Sequence, residues 1–146
     1  MEAGDDPGQV IDVPPGEILM PPACALAVFG VRLVAVGRLF ARSEVVVSDV
    51  HLNQAGKVQG GVYSVIADAT AGWAAEAFLG HPDYVTTSYT AQLVGAAGEG
   101  DRIRTEATVL HPGRRTVVVT ADLWRDSESG SPRRIAQFTC QQLVLG

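Results

Sequence analysis

The stretch HLNQAGKVQGGVYSVIADATAGWAAEAFLG, residues 51–80, decides how the chain folds, because a loop, a long apolar segment and a stop signal follow one another in it. The loop covers 48–61, where Asp49, Asn53, Gly56, Gly60 and Gly61 favour turns over regular structure. Residues 62–79 are then apolar almost throughout, and the alanines at 67, 69, 71, 74, 75 and 77 favour helix. Apolar groups lie on nearly every side of that helix, the pattern of one buried on most of its surface. Gly80, His81 and Pro82 end it, a residue free to turn left-handed followed by one that cannot continue a helix. Asp68 and Glu76 interrupt the apolar run, and a charge in mid-span is costly in lipid. A buried helix of a globular domain is expected rather than a membrane span.

The flanking sequence is mostly β-like. Upstream, a short helix is expected over 21–29, with Pro22 tolerated in its first turn. Two strands follow, with Val31, Leu33 and Ala35 alternating with their neighbours and Leu39, Ala41, Val45 and Val47 sharing a face. Downstream, 85–94, 102–110, 116–124 and 134–144 read as four strands separated by the turn-forming GEGD, HPGR and SESGSP. Arg102, Arg104, Glu106 and Thr108 alternate with Ile103, Thr105, Ala107 and Val109, the period of a sheet with one wet face. Residues 1–19, with Pro7, Pro14, Pro15 and little periodicity, are expected to form a flexible tail, leaving 20–146 as a single domain. The fold class is therefore α+β, an antiparallel sheet of about six strands wrapped around one long central helix. One helix cannot cover both faces of such a sheet and its strand edges need partners, so two sheets are expected to join in a dimer.

Composition excludes several functions. With 146 residues, 47% hydrophobic and 18% charged, the chain is globular rather than disordered. A net charge of −5 argues against a sequence-independent grip on nucleic acid. Cys24 and Cys140 form neither a disulfide framework nor a zinc spacing, and His51, His81 and His111 share no spacing, so no metal and no cofactor are expected. The start MEAGDDPGQV lacks the basic and apolar segments of a signal peptide, and a cytoplasmic location is expected. There is no G-x-S-x-G serine-hydrolase elbow.

The chemistry concentrates between Asn53 and Asp68. Gly60 and Gly61 let backbone approach a ligand with no Cβ in the way, and unpaired amides at a helix start suit a carbonyl oxygen that is gaining negative charge. One such donor is worth roughly 3 kcal/mol in a transition state. Asp68, an acid inside an apolar helix, is placed to attack an acyl carbon or to act as base on a water. Eight residues of helix separate Gly60 from Asp68 by roughly 12 Å, so no single carbonyl carbon meets both in one chain. If both act on one substrate, they come from different protomers.

The run HLNQAGKVQGGVYSVIAD resembles the signature of hotdog-fold thioesterases of the phenylacetate-pathway and 4-hydroxybenzoyl-CoA thioesterase type, N-x-x-G-x-x-H-G-G followed seven residues on by Asp or Glu. The resemblance extends over about residues 23–145, including the GRR hairpin at 113–115. It implies hydrolysis of an acyl-CoA or other acyl thioester by a homodimer as the minimum active unit, in a homotetramer. The Gly60 amide would polarise the carbonyl, Asn53 would help to bind the carbonyl or the water, and Asp68 of the partner chain would be nucleophile or base. A hydroxyl on the strand after the helix would orient the water, with Thr86 the better-aligned residue and Thr87 the second. Gln59 stands where the family usually has His, and Gln cannot titrate near neutral pH. Gln59 and Gly61 are expected beside the substrate, and Arg114 and Arg115 are candidates for the CoA phosphates. Tyr63 and Trp73, first of all core residues, are both candidates for shaping the acyl pocket. The substitution at Gln59 motivates an alternative, a non-catalytic hotdog module that binds acyl thioesters or serves as an assembly partner.

Overall fold

The computed structural model describes residues 8–15, 17, 18, 20, 23–127 and 130–146. In chain order the elements are β1 (Val10–Asp12), α1 (Ala25–Val28), β2 (Arg32–Gly37), β3 (Phe40–Val46), a 3-10 turn (Asp49–His51), α2 (Gly60–Leu79), β4 (Tyr84–Leu93), β5 (Arg102–Pro112), β6 (Thr116–Ser127) and β7 (Gly130–Val144). The strands form one antiparallel sheet in the order β1-β2-β3-β5-β6-β7-β4, open at both edges. α2 lies across one face, packed chiefly on β3, β5 and β6.

Among the described residues the sheet has seven strands where about six were expected. The addition is β1, from the segment read as a tail: Val10, Ile11 and Asp12 pair with Gly37, Val36 and Ala35, and Val13 N donates to Val34 O at 2.9 Å. Three residues are too few to show a period of two; the pairing depends on the open edge that β2 presents. Residues 1–7, 16 and 19 of that segment, Pro21 and Pro22 of the expected short helix, and Glu128 and Ser129 of the last turn lie outside the described residues.

The alternation read in β5 is the division between core and water. Ile103, Thr105, Ala107 and Val109 are buried under α2. On the opposite face Arg104 pairs with Glu106 and with Asp126, the latter at 3.1 Å, and lies over the Trp124 ring. The helix reaches the sheet closely because Ala67, Ala71, Ala74 and Ala75 are small and fully buried. Gly80, left-handed at φ 78, closes it, its N–H donating to Glu76 O at 2.8 Å. The helix was expected to be buried on most of its surface, and Thr70–Ala75 are buried in unbroken succession, so it is covered on every side there. Ser64, Val65, Asp68 and Ala69 remain partly open, because the single sheet lies on the other side. Among the described residues no helix is long and apolar enough to cross a membrane.

A buried polar clasp ties α2 to β3. Thr70 Oγ1 donates to Ile66 O at 2.8 Å, so its lone pairs are free to accept from Ser43 Oγ at 2.7 Å. Thr70→Val strands the fully buried Ser43 hydroxyl and is expected to cost about 1–3 kcal/mol in urea unfolding. Ser43→Ala in the Thr70→Val background removes the stranded group and recovers part of that loss.

Candidate active site

The loop ahead of α2 is held from within. Asn53 Oδ1 accepts from Ala55 N at 2.9 Å and Lys57 N at 3.2 Å, and Leu52 bridges Val58 around the left-handed Gly56. The Asn53 carbonyl oxygen is therefore occupied by the loop, and its amide nitrogen is the end left for a ligand. His51, buried, accepts from Ser48 N at Nδ1 (2.9 Å), which makes Nε2 the protonated nitrogen that donates to Phe29 O at 2.7 Å. The His51 carbonyl in turn accepts from Gln59 N at 2.9 Å and so fixes where the helix begins. Sequence reading weighed His51 only as a metal ligand and missed this supporting role; an isolated His before a loop carries no signal for it.

Gln59 is the exposed residue that precedes the helix, and its side chain makes no cap bond. Among the described residues neither the Gly60 nor the Gly61 amide has an acceptor. A Cβ at Gly61 would meet nothing within 4 Å, whereas one at Gly60 would come 3.2 Å from Leu93 Cδ1. Two donors thus point out of the helix start beside the end of β4, where the helix dipole favours negative charge.

Two turns on, Asp68 meets β4. Thr86 Oγ1 lies 2.6 Å from Asp68 Oδ1. The β4–β7 register passes from Thr86↔Gln142 to Ser88↔Gln141, so Thr87 is the extra residue of a bulge, and its hydroxyl turns to Gln141 O at 3.4 Å, away from Asp68. Asp68 and Thr86 border a cavity of about 370 Å³ whose apolar walls include Leu26, Val65, Ala69 and Trp73. Glu76 and Tyr84 also line it. Tyr84 donates to Gly72 O at 2.8 Å, and a Cβ at Gly72 would come within 2.8 Å of the same hydroxyl, so this helix position needs glycine. Burial, aided by the charges of Glu76 and Asp68, pushes the Tyr84 hydroxyl up to about 12, and it stays protonated at neutral pH. Burial, then the Asp68 charge, likewise pushes the Cys140 thiol up to about 12, which leaves it no nucleophilic thiolate.

The other expected residues fall elsewhere. Tyr63 is buried against the sheet, its hydroxyl donating to Gly95 O at 3.4 Å; Trp73, not Tyr63, walls the cavity beside Asp68. Arg114 and Arg115 form the β5–β6 turn with Gly113, where Thr116 O leaves no room for a Cβ. Both arginines are exposed and without an ion pair among the described residues. Arg115 O accepts from Val144 N at 2.8 Å, and Val144 pairs with Tyr84, which puts the turn at the Thr86 end of the sheet.

The chain belongs to the thioesterase superfamily, whose family model matches residues 55–130, just over half of it. Its hotdog fold is similar to that of the E. coli PaaI protein from the phenylacetic acid degradation operon (TM-score 0.73, 20% identity, 83% of each chain covered). A hypothetical thioesterase from Streptococcus pneumoniae TIGR4, solved with coenzyme A, is also similar (TM-score 0.75, 22% identity, 84% of this chain and 91% of that one). So is smu.793 from Streptococcus mutans UA159 bound to acetyl CoA (TM-score 0.72, 22% identity, 80% and 89%). No match was found among curated proteins.

Proposed function

We propose that the chain from β1 onward, residues 20–146 together with the strand ahead of them, forms one catalytic domain that hydrolyses acyl-CoA thioesters at a site shared between two protomers. The observation that carries this reading is the pairing of Asp68 with Thr86 at the edge of a mostly apolar cavity, on the same helix that starts with two acceptor-free glycine amides. In the proposed reaction the thioester carbonyl oxygen accepts from Gly60 N–H, with Gly61 and the Asn53 amide nitrogen beside it. Asp68 of the other protomer, one oxygen held by Thr86, uses the second to add to the acyl carbon or to take a proton from the attacking water. On the first route the C–S bond breaks, the thiolate leaves and water hydrolyses the Asp68–acyl anhydride, giving up a proton to the thiolate. On the second the water oxygen adds to the carbon, the C–S bond breaks and the thiolate takes the proton held by Asp68.

Two features support the dimer. β4 is an edge strand with Val85, Tyr89 and Leu93 exposed, and the open side of α2 carries Val65, Asp68 and Ala69. A second copy laid edge to edge covers both and brings Gly60 of one chain towards Asp68 of the other; a homotetramer of such dimers is the assembly we infer.

The reading is tested with aliphatic and aromatic acyl-CoAs, followed by release of free thiol. Hydrolysis of none of them, with acyl-CoA nevertheless bound, would favour the non-catalytic module instead, the alternative to which Gln59 points with an exposed side chain free of the helix start. Light scattering that finds only monomer removes the two-chain site. Arg114 and Arg115, unpaired at the Thr86 end of the sheet, are assigned to the CoA phosphates. Replacing both with Ala is expected to raise KM for an acyl-CoA roughly ten-fold, in the range of lost charged hydrogen bonds, with kcat little changed. An N-acetylcysteamine thioester, which has no phosphate, should show no such difference.

A further inference from the structure

Gln142 is fully buried on β7, on the inward face shared with Ala136, Phe138 and Cys140. An amide where the period of two calls for an apolar residue is costly unless it is bonded. It lies directly opposite Thr86 in the β4–β7 register, and its Oε1 is 2.8 Å from Thr86 Oγ1. Its Nε2 finds no partner among the described residues. Thr86 Oγ1 is at the same time 2.6 Å from Asp68 Oδ1.

Proton counting decides how these three groups are connected. The Thr86 hydroxyl has one hydrogen, and an ionised Asp68 can only accept. The hydrogen on the shorter contact is therefore that of the Thr86 hydroxyl, donated to Asp68, and a second acceptor at 2.8 Å would face a lone pair. With the amide turned so that its nitrogen faces Thr86, Gln142 donates to Thr86 and Thr86 donates to Asp68, a chain whose members polarise one another. That orientation also leaves a carbonyl oxygen, rather than an NH2 group with two unused hydrogens, at the unpartnered position.

We infer that Gln142 is a positioning residue for the reaction: its side-chain N–H locks the Thr86 hydroxyl so that its single proton points at Asp68. The inference rests on the hydrolytic reading of Asp68 for its kinetic consequence, though not for its hydrogen-bond order. Without Gln142, Thr86 can turn its hydrogen elsewhere and the Asp68 carboxylate loses a fixed orientation.

Gln142→Met keeps the volume and removes both polar atoms. On any thioester that the wild type hydrolyses, it is expected to lower kcat roughly five- to ten-fold, the size of one hydrogen bond, with KM little changed. Thr86→Val should abolish that sensitivity, because Gln142 acts only through the hydroxyl. An equal loss from Gln142→Met with and without Thr86 would overturn the inference, and so would no loss with Thr86 present. A second measurement needs no turnover and no Gln142 variant. In the full chain, one proton of the Gln142 side-chain amide should exchange slowly with solvent and shift on Thr86→Val. An amide pair insensitive to Thr86→Val overturns the hydrogen-bond order even if hydrolysis is found. A responsive pair in a protein that cleaves no thioester keeps the hydrogen-bond order, overturns the catalytic role and sinks the hydrolytic reading instead.

Discussion

Asp68→Asn is expected to lower kcat/KM on any thioester the wild type cleaves by roughly a hundred- to ten-thousand-fold, the range for removing a general base. The substitution changes one oxygen to NH2 and almost no volume. Thr86 Oγ1, 2.6 Å away, can still donate to the Asn oxygen, so the local packing should survive. What disappears is the basic and nucleophilic oxygen that Thr86 leaves uncovered. Cys140, with its thiol pushed up to about 12, offers no substitute nucleophile at neutral pH. The check is free-thiol release by both proteins across the same acyl-CoA panel, with a urea melt to show equal folding. Parallel rates on every substrate would exclude Asp68 from the chemistry.

The second large effect is at the other end of the helix. Gly60 is the first helical residue, where proline is tolerated because its missing N–H has no intrahelical partner. Gln59, at φ −62 and ψ 135, already has the extended conformation that a following proline demands. The one close neighbour of a new Cβ is Leu93 Cδ1 at 3.2 Å, the end of a half-exposed side chain that can give way. Gly60→Pro thus removes one amide hydrogen and little else. It is expected to lower kcat roughly a hundred- to a thousand-fold, the cost of one oxyanion donor, with the helical circular dichroism unchanged. Each variant kills a different half of the site, so they can be combined. Unfolded together and refolded as mixed dimers, Asp68→Asn and Gly60→Pro should recover about a quarter of the wild-type rate, since half the dimers are mixed and each mixed dimer has one intact site. No recovery would mean that the two groups do not meet across a dimer.

Much of the fold was legible because its signals are local. The small-residue apolar run, the Gly80-His81-Pro82 stop and the alternation from Arg102 to Val109 each report on their own element and need no knowledge of the others. β1 was not legible, because three residues pair there only where β2 leaves an edge open. The even apolarity of α2 reads as burial on most sides, which holds at Thr70–Ala75, but nothing in it marks Ser64, Val65, Asp68 and Ala69 as the residues left partly open.

The candidate site divides along the same line. The order Asn53, Gly60, Gly61, Asp68 is a property of the sequence, as is the roughly 12 Å of helix that keeps Gly60 and Asp68 apart. The resemblance ranked Thr86 ahead of Thr87, but the physical reason lies in the pairing with β7, where Thr87 is the extra residue of a bulge and Thr86 faces Asp68. Tyr63 and Trp73 look equivalent along the helix, and the position of the sheet alone sends Tyr63 to Gly95 and Trp73 to the cavity. The alternation of Phe138 and Cys140 already puts Gln142 rather than Gln141 on the inward face, but only the register sets it against Thr86. By itself the sequence determined the element types, the helix and the spacing of reactive groups along it, because those follow from local conformational preference. The tertiary structure decided which side chains touch, because strand register and the side on which helix meets sheet depend on residues more than fifty positions apart, as Thr86 and Gln142 are.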